Sequence, residues 1–212
     1  MDWYQIYLDE IKLKDNLNNY IIYKVSHKRK FINLIKKYSK NKKIIECGCG
    51  TAIISTYIAS LGYDVTAVDI DKKILNLAKK IAKDFPSSNK PVFEEKDIIN
   101  SKIKDHYDVA FSNGVLEHFS DREIKKILKN HLSFADYLVI GIPTKFFDQK
   151  EALYGDERFL KISYWRRLIN SAGGKIIEEC SYHYMTPTEK IMNIRKIFRP
   201  KPFRVFVITK KD

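Results

Sequence analysis

The chain has 212 residues, enough to bury one good core, and its 44% hydrophobic and 31% charged residues describe a globular protein and exclude an intrinsically disordered one. Its formal net charge is +13, but 31 of the 39 basic side chains are lysine, and dispersed lysines are for the most part solvated helix surface, so the total alone names no polyanionic partner. No apolar run reaches the roughly 20 residues that cross a bilayer, and no basic-then-apolar leader opens the chain.

The first forty residues have a helical pattern, with Ile21, Ile22, Val25, Ile32 and Ile35 as its apolar stripe. Lys43 to Cys47 is a short β-branched strand that ends in glycines. Thr51 to Leu61 is helical, through Ile54, Tyr57, Ile58 and Leu61, and stops at Gly62. Asp64 to Asp69 is the second strand, and Asp71 caps a helix to Lys83 with Ile74, Leu75, Ala78 and Ile81 on one face. Pro91 to Lys96 and Tyr107 to Ser112 are the third and fourth strands. Asp121 to His131 is an amphipathic helix, followed by a strand from Tyr137 to Ile142. Ile162 to Ala172 is a helix closed by Gly173 and Gly174, and Lys175 to Cys180 and Phe203 to Thr209 are the last strands.

This alternation predicts an α/β fold: a mostly parallel sheet with helices on both faces, and an antiparallel pair at the end, where no helix separates the last two strands. One domain spans 1–212, with a helical cap over 1–40, a core over 41–212 and inserts near 144–160 and 185–202. Residues 24–43 hold nine basic side chains and no acid, and 186–212 hold eight against two. Those two stretches are the candidate patches for an anionic partner. Three cysteines, with Cys47 and Cys49 one residue apart, read as reduced cytoplasmic thiols and lack the second pair of a zinc site.

In an open parallel sheet, ligands sit beyond the carboxyl ends of the strands. Those ends carry Glu46 to Thr51, Asp69 to Asp71, Asp97 and Ile98, Asn113 to Val115, and the stretch after Ile142. The glycines let the chain turn sharply and a ligand approach the backbone, and the helix that follows offers unpaired N–H groups. Asp69, 19 residues beyond Gly50, is placed to accept both hydroxyls of a ribose. Two Rossmann-type readings remain at this point. A dinucleotide site wants a third glycine where Ile53 stands, and Glu46 sits awkwardly beside a pyrophosphate but suits a ligand with an ammonium group.

Ile44 to Thr51 resembles the first motif of the class I S-adenosylmethionine-dependent methyltransferases. Val65 to Ile70 resembles their second strand, Glu95 to Ile98 their adenine-edge motif, and Phe111 to His118, with its Val-Leu-Glu-His run, the fourth-strand motif of the small-molecule branch. The resemblance covers about residues 40 to 180. It implies a Rossmann-like doubly wound, seven-stranded sheet whose last strand is antiparallel, with S-adenosylmethionine as cofactor and S-adenosylhomocysteine as product. It implies that Gly48, Cys49 and Gly50 approach the methionine part, that Glu46 supports the turn and the ammonium group, and that Asp69 takes the ribose. By the same resemblance Ile70 packs on the adenine, Asp97 and Ile98 meet its edge, and the Asn113 carbonyl faces the ammonium group. Ala52 departs from the third glycine of many members, and crowding is expected there.

Transfer of a methyl group to an oxygen or nitrogen calls for alignment and a base. His118 is the candidate catalytic base, set against a role in which Glu117 and His118 only hold the loop, by pairing with the backbone or by capping the helix from Asp121; His183 and Tyr184 are weaker candidates. No metal ligand set is visible. The expected acceptor is a small molecule. An RNA or other polymer held by the basic patches, and a non-catalytic S-adenosylmethionine-binding protein, are the alternatives. The acceptor segments are 144–160, with Tyr154 to Arg158, and 185–202, with Arg195, Lys196, Arg199 and Lys201. Trp3, Tyr4 and Tyr7 are placed either to close over the same mouth or to serve as packing.

Overall fold

The computed structural model describes residues 2–14, 16–146, 157–182 and 202–211. Three helices open the chain: α1 (Trp3–Lys12), α2 (Leu17–His27) and α3 (Arg29–Tyr38). There follow β1 (Lys43–Cys47), α4 (Ile53–Ser60), β2 (Asp64–Asp69), α5 (Lys72–Asp84), β3 (Val92–Glu95) and β4 (Tyr107–Asn113). After one 3-10 turn at Leu116–His118 come α6 (Asp121–Phe134), β5 (Ala135–Pro143), α7 (Ile162–Ser171), β6 (Gly174–Tyr182) and β7 (Phe203–Lys210).

The seven strands lie in the order β3-β2-β1-β4-β5-β7-β6. β7 runs antiparallel to both its neighbours, and the other pairings are parallel, as expected. Successive strand residues face opposite sides, so each buried strand fills two cores. Ile45, Cys47, Ala110, Leu138, Ile140, Phe206 and Ile208 meet α6 and α7 through Ile124, Ile127, Leu128, Trp165 and Leu168. Their neighbours Ile44, Val65, Val109, Phe111, Val139, Val205 and Val207 meet α3 and α4 through Phe31, Ile35, Ile54 and Ile58. Ala67 packs with Leu75 and Ala78 of α5.

Local signals explain the helix starts. The Asp71 side chain accepts from the amides of Lys73 and Ile74, and Ser120 with Glu123 forms a capping box for α6. The helix from Asp121 is thus capped by Ser120 and not by Glu117 or His118, which leaves those two the loop-holding half of their structural role. The N-terminal stripe also differs from expectation: Ile22 is 64% exposed, because α2 and α3 are separate helices and the stripe changes phase between them. α2 instead lies on α4 and α5 through Tyr20, Ile21, Ile53 and Ile81. Among the described residues no helix is long and apolar enough to cross a membrane.

Candidate active site

The sheet order reverses between β1 and β4, and the turn leaving β1 stands at that reversal. Gly48 and Cys49 both donate their amide N–H to the Val68 carbonyl at 2.9 Å, which folds the chain back over β2. Gly48 (φ +72°), Gly50 (φ +53°) and Ala52 (φ +50°) then alternate in the left-handed region. A Cβ on Gly48 would stand 3.0 Å from both Val115 γ-methyls, and one on Gly50 would overlap the Tyr7 hydroxyl. At Ala52 an L side chain thus takes a backbone conformation that favours glycine.

Ala52 has no side chain to cap α4, and Glu46 supplies the acceptor from the strand. Its Oε2 receives the Ser55 hydroxyl at 2.5 Å and the Ser55 amide at 3.3 Å. Burial pushes the Glu46 carboxyl up to about 8, against the lowering effect of those two bonds. Asp69 is tied to the same turn. Its Oδ2 accepts from the Gly50 amide at 3.0 Å and its Oδ1 from the Asp71 amide at 3.1 Å. Burial raises its pKa, with these amides opposing. Each carboxylate oxygen can accept a further hydrogen bond. Beside it Ile70 is 66% exposed at the strand end, an apolar surface without cover.

Asp97 and Ile98 follow β3. The Asp97 carboxylate is engaged in its own turn, accepting from the Ile99 amide at 2.8 Å and the Asn100 side chain at 2.5 Å, while Ile98 is buried. Cys47 and Cys49 are buried free thiols, and burial raises both above the ordinary cysteine range.

Asn113 ends β4 and lies over Gly141 of β5, where a Cβ would come within 2.7 Å of the Asn113 Oδ1. That oxygen accepts from Lys28 Nζ at 3.1 Å and from the Tyr182 hydroxyl at 3.4 Å. Neither Lys28 nor Tyr182 stood out in the sequence. A glycine inside the apolar β5 run is the sign that another group comes close.

His118 closes the 3-10 turn, with its ring edge-on to Trp3 at 5.0 Å between centroids. Trp3 at His118 and Tyr7 at Gly50 bring α1 against the loops that follow β4 and β1. Arg158 pins the loop after β4. Its amide donates to the Glu117 carbonyl at 3.0 Å, and its guanidinium to the Phe119 carbonyl and Asp121, both at 2.6 Å. His183, Tyr184, Tyr154 to Asp156, Arg195, Lys196, Arg199 and Lys201 lie outside the described residues.

Residues 44–134 match a family model described as a methyltransferase domain. The chain is 31% identical over 130 residues to a ubiquinone biosynthesis O-methyltransferase of Pelagibacter ubique, covering 58% of this chain and 51% of that one. It is 30% identical over 132 residues to a ribosomal protein L11 methyltransferase of Campylobacter fetus, covering 59% and 45%. The chain thus spans about half the length of these relatives. A magnesium protoporphyrin IX methyltransferase of Synechocystis, solved with bound S-adenosylhomocysteine, shares the fold with a TM-score of 0.68 and 17% identity, over 97% of this chain and 95% of that one.

Proposed function

We propose that this chain, which belongs by its fold and its matched domain to the class I S-adenosylmethionine-dependent methyltransferases, moves a methyl group to an O, N or C atom of a small-molecule acceptor. The observation that carries the reading is the turn at the sheet reversal, where the Gly50 amide donates to Asp69, Glu46 holds Ser55 of the following helix, and Gly48 and Gly50 take left-handed backbone conformations.

These residues fit the cofactor. Asp69 has spare acceptor capacity for ribose hydroxyls, and Ile70 offers an uncovered apolar face for a flat base. When bound, S-adenosylmethionine supplies a methyl group made electrophilic by the sulfonium. Glu46 holds the start of α4 through Ser55 and, once ionised, faces the ammonium group. Asp97 accepts from the adenine edge, Ile98 lines it, and the backbone around Cys49 and Asn113 completes the cradle. The N-terminal helices, as a cap of one domain, keep water from the reacting atoms. His118 takes the proton that leaves the acceptor.

Calorimetry with S-adenosylhomocysteine tests the reading. The wild type is expected to bind, and Asp69→Ala to lose about tenfold or more in affinity, for the loss of a charged acceptor. A wild type that binds nothing, or an Asp69→Ala variant that binds equally well, refutes it. The relatives' names point to both a small-molecule pathway and a protein acceptor. A polymer acceptor would draw on the basic stretch at 24–43. Part of that stretch is engaged internally, Lys24 pairing with Glu10 and Lys37 with Glu178. A small molecule is therefore the preferred acceptor, and methyl transfer to one separates an enzyme from a protein that only binds the cofactor.

A further inference from the structure

At the carboxyl ends of β4 and β6, Lys28 stands without a carboxylate partner among the described residues. Lys28, at the junction of α2 and α3, is half-buried, with its Nζ 3.1 Å from the Asn113 Oδ1 and 4.9 Å from the centroid of the Phe203 ring. Its neighbours behave differently: Lys24 meets Glu10 at 2.8 Å and Lys37 meets Glu178 at 2.6 Å. Among the described residues, no ion pair forms at Lys28. Burial, with Lys24 adding to it, pulls the amine down to about 7, while Glu117 and Glu10 oppose.

Burying a cation beside an amide and an aromatic ring is costly when no anion compensates it. A strut between the N-terminal helices and β4 has no need of that charge, since a glutamine could donate to the same oxygen. The Tyr182 hydroxyl donates to that oxygen as well, at 3.4 Å, and its ring stacks on Phe203 with centroids 5.3 Å apart. Two donors thus converge on one sp² oxygen over an apolar floor, and a carboxylate oxygen is the ionised counterpart of the amide oxygen they now hold.

We infer that Lys28 and Tyr182 form an anion-reading corner of the acceptor site, and that the acceptor carries a carboxylate seated there. This rests on the methyltransferase reading, because it assigns the half of the mouth opposite Asp69 to the acceptor. It makes Lys28 a specificity residue and leaves proton removal to His118.

The test uses the full chain saturated with S-adenosylhomocysteine, with benzoate, benzamide and phenyl phosphate as probes followed by ligand-observed NMR titration. Near pH 6.5 benzoate is expected to bind about tenfold tighter than benzamide, the scale of one charge-assisted hydrogen bond. The preference is expected to shrink toward pH 8.5, as Lys28 loses its proton. Burial holds the Tyr182 hydroxyl above that range. Lys28→Gln is expected to abolish the preference, and Lys28→Arg to keep it at pH 8.5. Affinity for S-adenosylhomocysteine serves as the folding control for both variants. Equal binding of benzoate and benzamide, no binding of either, or a preference that survives Lys28→Gln overturns the inference. Tighter binding of phenyl phosphate than of benzoate overturns the carboxylate assignment. Failure of the wild type to bind S-adenosylhomocysteine counts against the methyltransferase reading itself.

Discussion

Gly50→Ala is the substitution whose cost can be worked most directly from the geometry. At φ +53° an L side chain is strained by about 1–2 kcal/mol. The added Cβ would also stand 2.8 Å from the Tyr7 Cζ and overlap the hydroxyl, so α1 must shift, an overpacking cost of about 1–3 kcal/mol. The sum is about 2–5 kcal/mol in the wild-type background. Once Tyr7 is cut to alanine only the strain remains, about 1–2 kcal/mol. Urea unfolding of the wild type, Gly50→Ala, Tyr7→Ala and the double variant gives the coupling directly, expected at about 1–3 kcal/mol with the double variant more stable than additivity allows. A coupling below about 0.3 kcal/mol, within the scatter of independent sites, would refute the claim that Tyr7 packs onto the turn.

The Glu46 carboxyl, raised from 4.5 to about 8, holds its proton in the folded protein over a range where the unfolded chain has released it. The folded state therefore binds more protons between those values, and stability falls as pH rises from about 4.5 to 8. Glu46→Gln is expected to remove that slope, matching the wild type near pH 5 and exceeding it by a few kcal/mol near pH 8.5; urea midpoints at the two pH values decide it, and parallel curves for the two proteins would contradict the buried-acid account. Ala52→Gly is expected to be nearly neutral by the same measurement. Relief of about 1–2 kcal/mol of left-handed strain is offset by about 0.8 kcal/mol for the buried methyl and about 0.4–1 kcal/mol of added chain entropy. A change beyond about 1.5 kcal/mol in either direction would show that one of these terms is misjudged.

β1 and β2 run over the residues expected of them, because a β-branched run ends in each case at a glycine or an aspartate that breaks the pattern. β5 begins at Ala135, two residues before the expected Tyr137, since α6 passes into the strand with no glycine or proline between them. The apolar stripe drawn through Ile21 to Ile35 failed at Ile22 for a related reason: nothing in the spacing marks the phase change at Lys28. At the site, the turn was legible because its chemistry is backbone chemistry, and glycines record where backbone must be bare. Lys28 and Tyr182 were not, because they reach Asn113 from 85 and 69 residues away and look like any other surface lysine and strand tyrosine. Only the placement of α3 beside β5 brings them together.

The position of β7 bears on how the molecule assembles. It is the last strand made, yet it lies between β5 and β6, so β6 has no edge to join until Phe203–Lys210 has left the ribosome. Until then the apolar edge of β5, Tyr137 to Ile142, is open to any other strand that meets it, a template for misassociation. The sheet thus closes in one late event, in which Val205, Phe206, Val207 and Ile208 are buried together and β5 and β6 gain their shared partner. A ribosome-stalled chain ending before Phe203 should hold its glycine turn while its β5 edge still recruits chaperones.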